Sequence, residues 1–258
     1  MLLIFAHPDD ESFTCGGIIP KYVEEGWQVD LICATRGEEG SVGPLTDVTR
    51  EQVPAIRQKE LEKAGVVLGI HSVTYLGYID GTLKDLTPGD IEDKIYQKMV
   101  ELVPDIVITM DTTGISNHPD HIKLSFAATF AFQKFAAWIE EQLADVEETE
   151  QVFPKLYYAC MPASEAAYAI SQKSLPAESF GKPWKGVLDK LVTNVIDVSE
   201  YADIKKKALR CHVTQSEDVD RFLSTPGQPL LKTEYFIFRM HGTTEVFMGK
   251  NDHVSDEL

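Results

Sequence analysis

The sequence predicts an α/β protein, a Rossmann-like three-layer α/β/α fold with a mostly parallel sheet, on three observations. Short apolar, partly β-branched runs recur up to Met110. Helical patterns separate them. Polar loops rich in His, Asp and Glu follow three of the runs, where such sheets place their ligands beyond the strand carboxyl ends.

Met1 to Ala6, Val29 to Ala34, Val73 to Leu76 and Ile106 to Met110 read as buried strands because they are short and apolar. The first connection, "FTCGGIIPKYVEEG", reads as an imperfect helix interrupted by paired glycines and Pro20. From Thr49 to Leu68, Val53, Ile56, Leu61, Ala64 and Val67 recur close to the helical period, and "LG" stops the run. A third helix opens near Pro88 and closes at Leu102, before Pro104. Further on, Val152 to Cys160, Val192 to Val198 and "TEYFIFRMHG" predict strands, and "YADIKKKALRCHVTQ" a helix. Phe126, Phe130 and Phe135 are expected in a helix core. Residues 160–190, rich in Ser, Ala, Pro and Gly from Ala163 to Gly186, are expected to form a mobile flap. No internal repeat or linker divides the chain, so residues 1–258 are expected to form one domain.

The 258 residues carry a formal net charge of −17, a field that repels nucleic acid and anionic membrane and leaves neutral or cationic small molecules as partners. No apolar stretch reaches the roughly 20 residues of a spanning helix. Met1 leads straight into a strand without a secretory signal, so the expectation is a cytoplasmic protein. Cys15, Cys33, Cys160 and Cys211 form no C-x-x-C pair and read as reduced core thiols.

"AHPDDE" at Ala6 to Glu11 leaves the first strand, and "HPDH" at His118 to His121 repeats the His-Pro-Asp pattern beyond the fourth. One such loop is ordinary turn and cap chemistry; two at one sheet edge are not. Together they hold what a catalytic zinc site requires: three ligands from imidazole and carboxylate, with a further position for water. His7, Asp10 and His121 make that set, with Zn2+ or another divalent transition metal as the ion. Asp9 remains beside the metal as general base, His118 as acid or electrostatic stabiliser, and Asp120 as the carboxylate holding the His118 ring. Glu11 suits either the start of a helix or support of the site. Arg36 in "TRGEEG" and Arg57 read as substrate contacts or as bracing, with Glu60 as the ordinary partner of Arg57. Asp80 in "YIDGT" reads as a turn residue.

"AHPDDE", "TRGEEG", "RQKELEKAGVVLG", "LGYIDG", "PDIVITMD" and "HPDH" resemble the LmbE-like, PIG-L-type zinc-dependent N-deacetylases from Met1 to about Ser125, and weakly again at "KKKALRCHVTQ". The resemblance implies a Rossmann-like hydrolase that removes an N-acetyl group from an amino sugar or sugar conjugate. It implies His7, Asp10 and His121 as metal ligands, Asp9 as base, His118 as oxyanion and leaving-group aid, and Asp120 behind that histidine. Arg57 and Asp80 fall where relatives contact sugar hydroxyls, and His212 where the chain end lines the pocket. Many relatives carry Tyr where this chain has Ser116, which leaves Asn117 as a substitute amide. Relatives are often assemblies, and exposed apolar helix faces would permit a homo-oligomer. Two alternatives stay open: a metal hydrolase of another amide or ester, and a non-catalytic nucleotide-type binding module. Against the latter, no G-x-G-x-x-G phosphate loop follows the first strand.

Overall fold

The first strand, β1 (Leu2–Phe5), is buried at every residue, as a strand covered on both faces must be. Its alternate side chains enter opposite layers. Leu3 and Phe5 join one cluster with Ile18, Leu31, Leu61 and Ala208, while Leu2 and Ile4 join the other with Ile32, Ile95, Leu124 and Phe135. Each such burial contributes roughly 2 kcal/mol, so β1 anchors both layers. The computed structural model describes residues 1–248 and 254–258.

Parallel pairing continues through β2 (Asp30–Thr35) and β3 (Ser72–Tyr78) on one side of β1, and through β4 (Ile106–Met110) and β5 (Lys155–Cys160) on the other. Two later strands and one hairpin arm complete the sheet: β6 (Asn194–Asp197), β7 (Thr233–His241) and β8 (Thr244–Glu245). β7 runs antiparallel to β5, β6 and β8. The order β8-β7-β5-β4-β1-β2-β3, with β6 beside β7, is therefore mostly parallel, as expected. The chain reverses its direction of travel across the sheet between β1 and β4. Loops leaving those two strands diverge there and open a crevice.

The first connection is two helices, α1 (Asp10–Cys15) and α2 (Ile18–Glu24), rather than one imperfect helix. Crowding explains the break. A Cβ at Gly16 would lie 2.5 Å from the Ser12 carbonyl oxygen, and one at Gly17 2.5 Å from Val198. The amides of Gly17 and Ile18 donate to the Glu234 carboxylate at 2.8 and 2.9 Å, so a β7 side chain caps α2. Lys205 Nζ donates to the same carboxylate at 2.7 Å, and both side chains are buried.

α3 (Val53–Leu68) and α4 (Asp90–Leu102) lie where the sequence placed them, and Gly69, at φ 84°, ends α3. The long α5 (Pro119–Gln142) follows β4. Of the three phenylalanines expected in its core only Phe135 is buried; Phe126 and Phe130 are 56% and 52% exposed. The buried stripe runs instead through Leu124, Ala127, Ala128 and Ala131, which turns the other two rings outward. Cys15, Cys33 and Cys160 are buried free thiols, and Cys211 is half-buried. Residues 163–186 hold α6 (Ala163–Ser171) and a small hairpin pairing Glu178–Ser179 with Lys182–Pro183. α7 (Ala202–Leu209), expected from the sequence, and α8 (Ser216–Leu223), which was not, complete the far end. No helix among the described residues is long and apolar enough to cross a membrane.

Glu234→Ala strands the Lys205 ammonium and two helix amides at once. The expected loss is about 3 kcal/mol of unfolding free energy, read from urea denaturation, against little change for an exposed-pair control such as Lys98→Ala.

Candidate metal centre

His7 is the first residue beyond the β1 edge after Ala6, and Asp10 turns back on it. Asp10 Oδ2 accepts the amides of Ala6 at 3.1 Å and His7 at 2.8 Å, which closes the loop and leaves Oδ1 pointing across the crevice. There it meets His121 Nε2 at 3.4 Å. His7 Nδ1 lies 2.9 Å from the same His121 nitrogen and 3.8 Å from Asp10 Oδ2. The two imidazole nitrogens and the Asp10 carboxylate, through Oδ1 towards His121 and Oδ2 towards His7, thus lie 2.9 to 3.8 Å apart, around the roughly 3.3 Å ligand separation implied by tetrahedral zinc bonds of about 2.0 Å.

The outer ring nitrogens are also fixed. His121 Nδ1 is 3.1 Å from the Gly114 carbonyl, to which it donates, so Nε2 is left as the lone-pair donor. His7 Nε2 lies 2.9 Å from Asp80 Oδ1 and 3.5 Å from Asp120 Oδ2, which turns His7 Nδ1 inward. His118 also brings a nitrogen within 4.8 Å of nitrogens on His7 and His121, and so do the oxygens of Asp80 and Asp120 around His7. His118 Nδ1 already accepts the Asp120 amide at 3.1 Å, and the two carboxylates face the back of His7, while Asp10 Oδ1 stays turned to His121, so His7, Asp10 and His121 are a further donor set that could hold a metal.

Asp80 lies in a turn, as expected, whereas the Asp120 carboxylate is not the group that holds His118. The Asp120 backbone amide, not its carboxylate, holds the His118 ring. The carboxylate accepts the Gly81 amide at 2.7 Å and the Leu83 amide at 3.1 Å and reaches His7. It is fully buried, and it fastens the β3 exit loop to the start of α5. Asp80 also lines the cleft, but its carboxylate faces His7 and the Glu39 amide. Burial opposes its ionisation, yet the hydrogen bond and charge of His7 outweigh this and bring it down to about 2.

Asp9 sits beside the triangle in a strained backbone, φ 123°, a region that disfavours residues with a Cβ. Its amide donates to Glu11 Oε2 at 3.0 Å, while Glu11 Oε1 meets His212 Nε2 at 2.9 Å; both side chains are buried. Glu11 thus supports the site, and His212 acts behind it rather than in the cleft wall. Arg57 donates to Asp9 Oδ2 at 3.1 Å, to the Pro8 carbonyl at 2.6 Å and to the Gly37 carbonyl at 3.0 Å. Gly37 and Gly40 are glycine because any Cβ there would fall within 2.2 Å of the guanidinium. Glu60 turns away to Thr214, so it is no partner of Arg57. Burial pushes Asp9 up to about 7, against the pull of Arg57.

His118 stacks on His121 with ring centroids 4.7 Å apart and meets Phe180, at the hairpin tip, edge-on at 4.4 Å. Burial, with His121 and His7 close by, brings it down to about 4 and keeps it neutral. Because Nδ1 accepts the Asp120 amide, the neutral ring carries its proton on Nε2. The loop before it is strained: Ile115 and Asn117 have φ 57° and 62°. Ser116 lines the cleft. Asn117 and Arg36 do not: Asn117 Nδ2 donates to the Pro183 carbonyl at 3.3 Å, and Arg36 donates to Gln58 at 2.9 Å while its guanidinium lies over Tyr75. The crevice has a volume of about 720 Å³, within the usual range for small-molecule sites.

Without metal, burial opposes a charge on His7, but the Asp120 and Asp80 carboxylates outweigh it and push the ring up to about 10. A metal held at His7 Nδ1 would need its lone pair, so uptake there at neutral pH would expel that proton and strengthen as pH rises. Calorimetry in buffers of different ionisation heat should show about one proton released per metal bound; no buffer dependence would contradict this protonation state.

A family model described as "PIG-L: GlcNAc-PI de-N-acetylase" matches residues 2–132. The chain is 32% identical over 216 residues to the probable N-acetyl-alpha-D-glucosaminyl L-malate deacetylase 2 of Bacillus anthracis, covering 83% of this chain and 80% of that one. It is 30% identical over 262 residues to the 1D-myo-inositol 2-acetamido-2-deoxy-alpha-D-glucopyranoside deacetylase of Saccharomonospora viridis, covering 92% and 94%. Among solved structures, the N,N'-diacetylchitobiose deacetylase of Pyrococcus horikoshii has a TM-score of 0.62 at 22% identity, covering 93% and 83%, a likeness of fold. The match of the family model from β1 into α5, and the two relatives that align across more than four-fifths of the chain, carry the conclusion: this chain belongs to the PIG-L, or GlcNAc-PI de-N-acetylase, family.

Proposed function

We propose that the protein hydrolyses the N-acetyl amide of an N-acetylglucosamine conjugate, using zinc held by His7, Asp10 and His121. One observation carries the reading: Asp9, the carboxylate next to the three converging donors, is locked by Arg57 and held near neutrality in its titration. Support also comes from the relatives, whose names describe deacetylases of glucosaminyl malate and glucosaminyl inositol. The cleft draws its walls from both halves of the chain, which supports residues 1–258 acting as one catalytic unit and the segment around Phe180 acting as its flap.

A bound zinc supplies Lewis acidity towards the amide carbonyl and the attacking water. Asp9 takes the proton of that water, a task for which a base titrating near the working pH is well matched. Arg57 fixes the carboxylate that receives it. His118, neutral with its proton on Nε2, donates a hydrogen bond to the oxyanion that develops, and the proton taken up by Asp9 passes to the departing amine as the C–N bond breaks. With Ser116 in place of a phenolic donor, this imidazole is the one side-chain donor the reading assigns to that oxygen.

Asp9→Asn should retain stoichiometric zinc and lose about 10²- to 10⁴-fold in kcat for acetate release. Loss of zinc from this variant would instead make Asp9 a ligand. Because Arg57 lowers the Asp9 pKa, Arg57→Leu should raise it, and since Asp9 must be ionised to act, the acid limb of the pH–rate profile should move to higher pH. An unmoved limb would assign that limb to another group.

A further inference from the structure

We propose, on the basis of the deacetylase reading, that the cleft accepts an amino sugar carrying a neutral, apolar aglycone, and that it disfavours acidic ones. The wall beyond the catalytic residues is apolar. Phe13, one turn after Asp10 on α1, packs edge-on against Phe222 of α8 with ring centroids 5.3 Å apart. Leu175, Pro176 and Trp184 line the same cleft from the hairpin segment. Phe180 links this wall to the chemistry, since its ring touches His118 and is still 56% exposed. A sugar bound with its acetamide at His118 therefore extends directly onto aromatic surface.

The charges in the same cleft give the second half of the inference. Among the described residues the lysines and arginines lining it are Arg57, Lys205 and Arg221. Arg57 is spent on Asp9 and two carbonyls. Lys205 is buried against Glu234 and the Leu230 carbonyl. Arg221 forks onto Glu217 and Asp218. A carboxylate on the aglycone finds no unpaired cation, meets Glu39 and Asp218 in the wall, and enters a molecule of net charge −17. An aryl or alkyl group loses only its water.

The test compares kcat/KM of the zinc-loaded enzyme for N-acetylglucosamine, its phenyl and hexyl glycosides, and its malate and inositol glycosides. Phenyl and hexyl glycosides should exceed the free sugar by about tenfold or more, and the malate glycoside should not exceed it. Trp184→Ala and Phe222→Ala, each checked for an intact melting transition, should pull the phenyl-to-free ratio at least about threefold towards one. Equal rates within about twofold, or a malate or inositol glycoside above the apolar ones, would overturn the proposal while leaving the deacetylase reading in place. Calorimetric binding of the same ligands to zinc-loaded Asp9→Asn reads the subsite without turnover. An apolar preference in binding with no acetate released by the wild type from any of them would sink the activity and keep the subsite; no preference in binding would sink the subsite whatever the activity.

Discussion

The contact on which the rest of the site depends is that of His7 Nε2 with the carboxylates of Asp80 and Asp120. It joins three loops that the parallel sheet delivers to one edge, those leaving β1, β3 and β4. It also leaves His7 Nδ1 turned towards His121 and Asp10. A carboxylate close to the outer nitrogen favours the inner one as the donor to a metal. Asp120 does more than hold a ring, because the same carboxylate collects the amides of Gly81 and Leu83 and so positions Asp80. This bracing orders the carboxylates of Asp10, Asp80 and Asp120 around His7.

A density of charge of this kind in a buried place demands compensation, and the protein supplies it with dedicated partners. Arg57 holds Asp9, His212 holds Glu11, and Lys205 holds Glu234. Each pair sits in the wall or directly behind it. The arrangement leaves few cations free for substrate and gives the outer part of the cleft to aromatic and aliphatic side chains. The strain at Asp9, Ile115 and Asn117 clusters where catalytic loops turn away from β1 and β4. Such backbone persists only when surrounding contacts over-determine it.

The fold and the heart of the site were legible because they are local in sequence. Strand runs, α3, α4 and the two His-Pro-Asp loops each declare themselves within a dozen residues, and the parallel topology then implies that the loops meet. What escaped is what depends on distant partners. Nothing near Asp80 indicates that it faces His7, and nothing near Glu234 indicates that it caps a helix that begins at Ile18. Arg57 read as a substrate contact or as half of a helical pair with Glu60; it does line the cleft, but its hydrogen bonds go to the loops after β1 and β2 and not to Glu60. Asn117, read as a substitute oxyanion amide, donates to the Pro183 carbonyl far along the chain, and Arg36, read as a substrate contact or as bracing, braces its loop against Gln58. Phe126 and Phe130 misled for a related reason: an aromatic stripe at helical spacing marks one face of a helix but not which face the sheet covers.

In the proposed site the metal is held by His7 Nδ1, Asp10 and His121 Nε2, with Asp80 and Asp120 behind His7. An anomalous difference map of zinc-loaded crystals, recorded at the zinc edge, tests this most directly. One peak is expected within bonding distance of those three donors, with both carboxylates still beside His7 Nε2 and His118 unbound. A peak coordinated by His118, or one seated between Asp80 and Asp120, would contradict it.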